Sequence, residues 1–288
     1  MGNIIQSFYS QNCSNYKMFL YNSYYLLSAL YAYESDIDIT LYTDYEFKVL
    51  LEKSPYKNIK EFFKYKNEFA DVDTQFFTWP KLVALDAVSR DTIHIDGDVF
   101  LKDNSCLRLL DIGNYDVMCQ HLEVMGKTLE TDYVYNDSFN TIKHLNFPPF
   151  IEKKVPKCMP NTGVLCVQNE NLWNEYRDTY WNMVKQARDN GLNPTGCSIP
   201  DIILEQQFLK EICDYRGYSM KYILDGSHYD EINKNAINNA YQHVCADMKN
   251  VFLTKCLYLI KEKNKNCYEV LKSNWKNEFP EYFDDETT

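Results

Sequence analysis

Between Gly2 and Gly97 the chain contains no glycine. Over that span strand-like and helix-like segments alternate, which predicts an α/β domain with a mostly parallel sheet covered by helices. "NIIQSFY" (Asn3–Tyr9) reads as the first strand, and "NYKMFLYNSYYLLSALYAYE" (Asn15–Glu34) as a long helix whose many rings blur its apolar face. "IDITLYTD" (Ile37–Asp44) reads as a second strand, "FKVLLEK" (Phe47–Lys53) as a short helix, and "IKEFFKY" (Ile59–Tyr65) as strand or helix. "WPKLVALDAVS" (Trp79–Ser89) is expected to be a helix with Pro80 in its first turn, and "TIHI" (Thr92–Ile95) a short buried strand. The missing glycines are informative. A dinucleotide-binding G-x-G-x-x-G or a P-loop needs glycine in the first strand–helix turn, so any nucleotide must be bound without such a cradle.

Further along, strands are expected at "YDVMCQH" (Tyr115–His121), "TGVLCVQ" (Thr162–Gln168) and "YSMKYIL" (Tyr218–Leu224). Helices are expected at Glu170–Asp189, Asp201–Cys213 and Lys255–Lys276. The segment His121–Phe150 has poor periodicity, a Pro-Pro break, acids, amides and aromatic rings, and reads as a binding loop or lid. The simplest division is one catalytic domain over residues 1–250, with a nucleotide-binding half (1–100) and an acceptor half (101–250), followed by a helical tail over 251–288.

The net charge of −11 and the lack of a dense Lys/Arg run argue against a nucleic-acid partner. The ten cysteines are irregularly spaced, without a C-x-x-C pair or an evident secretory leader, and fit a reducing cytosol better than a disulfide framework. The longest apolar run, Tyr24–Tyr33, is about half the length a membrane span requires. "MGNIIQ" carries Gln6 where a myristoylation signal has Ser or Thr, and the sequons at Asn12 and Asn136 matter only on secretion. The 24 tyrosines can serve the core, the surface or a sugar-binding cleft.

Three D-x-D pairs occur: Asp36/Asp38, Asp71/Asp73 and Asp96/Asp98. The first two read as solvated loop acids. The third differs, because "TIHI" precedes it, Gly97 separates the acids and apolar "VFL" follows. Open α/β sheets bind ligands beyond the carboxyl ends of their strands. Two carboxylates there can meet one hard cation, Mg²⁺ or Mn²⁺, together with substrate phosphates, and Gly97 lets the backbone approach a ligand. An EF-hand is excluded, since Phe100 sits at the third ligand position.

"TIHIDGDVFL" resembles the strand–DxD segment of GT-A glycosyltransferases, which are metal-dependent nucleotide-sugar enzymes. "PNTGVL" (Pro160–Leu165) resembles the F-N-x-G segment of family-8-like retaining members, and "HVCADMK" (His243–Lys249) is similar to their H-x-x-G-x-x-K signature, with Ala246 in place of glycine. "WPKLVAL" resembles the helix before the DxD strand, with Lys81 as its basic residue. The resemblance spans roughly Asn3–Asn250. It implies a single GT-A, Rossmann-like domain that transfers a sugar from a nucleotide-diphosphate sugar, UDP-linked, to a saccharide, protein or small-molecule acceptor. It implies Mn²⁺ or Mg²⁺ on Asp96, Asp98 and His243, with His228 of "DGSHYD" as the rival third ligand. It implies donor contacts from Ser7, Thr43, Asp44, Lys81, Gly97, Asn161, Gly163 and Lys249. Thr43-Asp44 can equally cap the following helix. "IPDIILEQQF" (Ile199–Phe208) resembles the segment beneath the sugar in retaining enzymes, which makes Glu205, Gln206 and Asp201 the catalytic candidates.

For an inverting reaction, Glu123 and Asp137 are eligible bases by position, and Tyr133 or Tyr135 is expected at the acceptor. His94 is expected to be structural. A glycoside hydrolase is disfavoured, because its working carboxylates stand about 5 to 9.5 Å apart on separate elements. A sugar- or protein-binding module on a degenerate fold is the rival that Ala246 supports. A phosphoryl-transfer enzyme is disfavoured by the acidic charge and the missing Gly-rich loops.

Overall fold

A computed structural model of the chain describes residues 2–10, 13–61, 78–126, 129–192, 200–224, 240–244 and 248–283. Asp71, Asp73, His228 and Ala246 lie outside the described residues. In chain order the elements are β1 (Ile4–Phe8), α1 (Asn15–Glu34), β2 (Ile39–Thr43), α2 (Tyr45–Leu51), β3 (Asn58–Glu61), α3 (Trp79–Asp86), β4 (Ile93–Ile95), β5 (Val99–Leu101), β6 (Val117–Val124) and α4 (Leu129–Ile142). They continue with β7 (Cys158–Val167), α5 (Glu170–Asp189), α6 (Pro200–Ile202), α7 (Phe208–Arg216), β8 (Met220–Tyr222), β9 (Tyr241–His243), α8 (Met248–Lys263) and α9 (Lys265–Trp275). A π turn over Ile203–Gln207 joins α6 to α7.

Seven strands form one sheet in the order β3-β2-β1-β4-β7-β6-β8. β1 pairs parallel with β2, β2 with β3 and β6 with β8, whereas β6 and β7 are antiparallel. This is the mostly parallel, helix-flanked α/β sheet expected from the alternation of segments. β5 and β9 make a separate antiparallel ribbon.

The chain divides into two compact units. One, here the DxD unit, comprises Asn3–Lys64, Ile95–Arg108 and Ala236–Thr288; the other, the π-turn unit, comprises Met1–Gly2, Tyr65–His94 and Leu109–Asn235. In the DxD unit α1 is buried on nearly every side, from Phe19 to Ala32, and this is why its apolar face is indistinct in the sequence. Ser14 caps it by accepting from the Lys17 N–H. The α8 and α9 side chains Leu253, Leu257, Ile260, Tyr268, Leu271 and Trp275 share its core. The single helix expected over Lys255–Lys276 is two helices, broken at Asn264, whose Oδ1 caps α9 at the Cys267 N–H, 3.0 Å away.

In the π-turn unit the segment His121–Phe150, read as irregular, contains the whole of α4. Tyr135, Ser138, Phe139 and Ile142 are buried at i, i+3, i+4 and i+7. The stripe escapes a count of aliphatic residues because a tyrosine and a serine hold two of its four positions. Trp79–Asp86 is helical, with Pro80 in the first turn as expected.

Candidate functional site

β4 ends at Ile95, and Asp96-Gly97-Asp98 turns the chain from the main sheet into β5. The turn is fastened from beneath. The Gln6 amide of β1 donates to the Asp96 carbonyl (3.2 Å) and to Ser28 Oγ (2.9 Å), and Ser28 in turn donates to the Val99 carbonyl (3.0 Å). The Val99 N–H closes the turn on the Asp96 carbonyl at 3.0 Å. Gly97 lies against the ring of Tyr25, and a Cβ at this position would stand 2.1 Å from Tyr25 Cε2. That ring is held in place by its hydroxyl, which donates to the Ser7 carbonyl at 2.6 Å and which burial keeps protonated. The glycine between the aspartates is therefore required by Tyr25 packing under the turn.

The ribbon supplies the third residue. Its register sets Val99 opposite His243, and the Val244 N–H donates to the Asp98 carbonyl at 3.0 Å. His243 Nε2 consequently lies 3.3 Å from Asp98 Oδ1, and Lys249 Nζ, at the start of α8, 2.7 Å from Asp98 Oδ2. One ligand atom each from Asp96, Asp98 and His243 fall within 4.8 Å of one another. Opposed donors around a Mg²⁺-sized ion stand about 4.2 Å apart, so a small closure brings the three onto one cation. Two carboxylate oxygens and an imidazole can hold a divalent metal ion. Burial alone would raise the Asp98 carboxyl, but the Lys249 ammonium and His243 beside it outweigh burial and hold it well below the usual carboxylate range.

Asp44, also expected near the nucleotide, has structural partners. Asp44 caps α2, accepting from the Phe47 N–H (3.0 Å), while its other oxygen receives the Ser10 N–H (2.6 Å) and hydroxyl (2.7 Å). Thr43 is fully buried at the end of β2, and Ser7 is buried in β1. Asp36 and Asp38 sit away from any metal-binding group among the described residues: Asp36 takes a positive φ of 53° in a turn, and Asp38 pairs with Lys57.

The remaining candidates gather in the π-turn unit. Lys81 of α3 is buried and donates to Glu205 Oε1 (2.6 Å) and to the Thr162 carbonyl (3.0 Å). The Thr78 hydroxyl donates to Glu205 Oε2 (3.1 Å), and Asp201 accepts from the Thr78 N–H and from the Tyr180 hydroxyl (2.8 Å). Burial first, and the Glu205 charge second, push the Asp201 carboxyl up to about 7. The π turn buries Ile203 to Gln207 without interruption, which turns the polar side chains Glu205 and Gln206 inward together; such turns recur at functional positions. Beside this network, Asn161 Nδ2 donates to Glu123 Oε1 (2.7 Å) and the Gly163 N–H to Asn161 Oδ1 (2.9 Å). The Tyr135 hydroxyl donates to Glu123 and lies 2.6 Å from Gln206 Oε1. Tyr135 is thus buried, whereas Tyr133 is 60% exposed. Asp137 is half-buried on α4 and forms no part of the Glu123 group. His94 is buried, and burial with nearby Lys81 pushes its imidazole well below its ordinary value, so it stays neutral.

Sequence reasoning singled out the acids and the histidine but missed Gln6, Tyr25 and Ser28. Their signal was a polar residue inside a strand or helix that otherwise reads as core.

The mostly parallel, helix-flanked sheet has the GT-A fold of known glycosyltransferases. An active-site mutant of LgtC superposes with a TM-score of 0.50 at 14% identity, covering 90% of this chain and 95% of that one. Galactosyltransferase LgtC with donor and acceptor sugar analogs gives 0.49 at 12%, covering 89% and 94%, and mouse xyloside xylosyltransferase 1 in its apo form gives 0.40 at 14%, covering 77% and 84%. The chain belongs to the family of unknown function DUF6734, which it matches over residues 2–287. No curated protein matches it. Among the described residues, no helix is long and apolar enough to cross a membrane.

Proposed function

We propose that the protein is a metal-dependent glycosyltransferase that takes a sugar from a UDP-linked donor and transfers it with retention. The observation that carries this reading is the convergence of Asp96, Asp98 and His243 within 4.8 Å, with Lys249 on the same carboxylate. These three side chains would hold Mn²⁺ or Mg²⁺, which supplies Lewis-acid stabilisation of the leaving diphosphate, worth several kcal/mol. Lys249 adds a point charge for the same phosphate oxygens. In the π-turn unit, the carboxylates of Glu205 and Asp201 are committed to Lys81, Thr78 and Tyr180. That commitment leaves the group of Gln206, Asn161, Gly163 and Glu123 as our choice for sugar and acceptor hydroxyls, with Tyr135 as its support. The catalytic domain then occupies residues 1–250, and a cytosolic setting follows from the irregular cysteines.

The test is a thermal-shift panel of UDP-sugars with and without Mn²⁺, followed by calorimetry on the best ligand. Binding to the native state raises its apparent stability by mass action. A UDP-sugar that stabilises only with Mn²⁺, and not in Asp98→Asn or His243→Ala protein, supports the proposal. Metal-independent stabilisation, or no response to any nucleotide sugar, defeats it.

A further inference from the structure

A second charged group lies in the DxD unit. Lys102 directly follows β5, where its N–H donates to the Ala240 carbonyl at 2.7 Å. Its ammonium sits over the ring of Tyr31, 5.6 Å from the centroid, and the ammonium of Lys263 sits over the same ring at 4.0 Å. Lys255 lies one ring further on, 5.6 Å from the centroid of Phe252. Phe100 connects the two, with centroids 5.9 Å from Tyr31 and 6.1 Å from Phe252. Three lysines from two separate segments therefore stand over one aromatic floor.

The carboxylates nearby do not balance them. Glu34 at the end of α1 pairs with Lys263. Asp103 is exposed and turns to the Ser105 N–H. Among the described residues no carboxylate lies within ion-pair distance of Lys102 or Lys255, and two positive charges remain in excess. This happens in a chain that carries 41 acids to 30 bases. Burial, with Lys255 and Lys263 alongside, pushes the Lys102 ammonium down from its ordinary value. The rings offset only part of this repulsion, since a cation over an aromatic face gains about 0.5–2 kcal/mol.

We propose that Lys102, Lys255 and Lys263 form a binding site for a phosphate-bearing dianion. A phosphomonoester carries about −1.5 to −2 at neutral pH, which matches the excess, and lysines serve phosphate oxygens as independent point charges. The aromatic floor lowers the local dielectric, so the anion gains more here than over open surface. The ligand is a free phosphorylated molecule or a phosphorylated lipid headgroup, which share this chemistry.

The experiment uses the full chain in EDTA, so that the Asp96/Asp98 cluster takes no part. Inorganic phosphate is titrated by calorimetry against chloride at matched ionic strength, and phosphatidylcholine vesicles with and without phosphatidic acid are tested by co-sedimentation. Saturable phosphate binding, weakened about tenfold or more in Lys102→Gln, supports the site and a free ligand. Lysine-dependent binding to phosphatidic acid vesicles without binding of free phosphate supports it with a lipid source. Should Lys102→Gln fail to fold, exposed Lys255→Gln provides the same comparison. In EDTA Asp98→Asn should bind phosphate as the parent does, and in a separate titration with Mn²⁺ in place of EDTA it should lose donor binding, which separates this site from the proposed transferase. Phosphate indistinguishable from chloride together with no vesicle binding, or binding unchanged in the lysine variants, overturns the inference.

Discussion

Each unit holds two carboxylates and one lysine in close contact, yet their charges settle in opposite ways. In the DxD unit Lys249 and His243 both address Asp98, and its carboxyl is held well below the usual range. In the π-turn unit Lys81 is spent on Glu205, Asp201 is left with a tyrosine and a backbone N–H, and its carboxyl rises to about 7. The first arrangement keeps negative charge on Asp98 and suits a cation. The second neutralises one of its acids and suits a closed scaffold. An inventory of residue types does not distinguish them; which acid the lysine reaches, and whether a second base is at hand, does.

Substitutions can break this contrast. The largest expected effect is on the cluster that keeps its charge. Asp98→Asn should lower Mn²⁺-dependent donor turnover about a hundredfold or more, with the fold intact by circular dichroism. Normal turnover would mean that the DxD cluster is no more functional than its counterpart.

In the π-turn unit the main effect should fall on stability. Lys81→Met strands a buried Glu205 carboxylate and is expected to cost about 3–5 kcal/mol in urea unfolding, most of it recovered by adding Glu205→Leu. A cost below about 1 kcal/mol, the size of an exposed ion pair, would remove the distinction between scaffold and site.

Gly97→Ala sharpens the account of the DxD turn. Its methyl meets the Tyr25 ring, and overpacking of this kind costs about 1–3 kcal/mol. Mn²⁺ affinity should fall with it, and Tyr25→Ala in the same chain should restore part of that affinity, although the cavity it leaves costs further stability. Unchanged Mn²⁺ affinity would show that the turn is not set by Tyr25.

The narrowest effect is in pH dependence. The folded Asp201 carboxyl titrates at about 7 against 3.8 for the ordinary group, so its contribution is fully present below 3.8 and is lost as pH rises through about 7. Asp201→Asn removes that loss. The melting temperature of the variant relative to the parent should climb between pH 5 and pH 8 by about 4 °C, roughly 2–3 kcal/mol. A flat difference would place an ionised Asp201 in the folded protein throughout.

Much of the architecture was legible along the chain. α1 and α5 occupy the ranges expected, 15–34 and 170–189, because a polar cap and a run of side chains at helical spacing act within a few residues of each other. The DxD turn was legible for the same kind of reason, as a strand, a glycine and two acids in sequence. α4 was not, since its buried stripe is half polar. The expectation that Gly97 serves a ligand also lacked a fact that no local pattern contains, the ring of Tyr25 beneath it.

What the sequence by itself determined is the alternation of strands and helices up to β4 and the two acids at its end, products of contacts between near neighbours in the chain. The tertiary structure alone decided that His243 faces Asp98, through a ribbon whose strands are far apart in sequence, and that Lys81 meets Glu205 while Lys249 meets Asp98. Those pairings are long-range. They depend on strand register and on which helices share a core, and no spacing within a single segment encodes either.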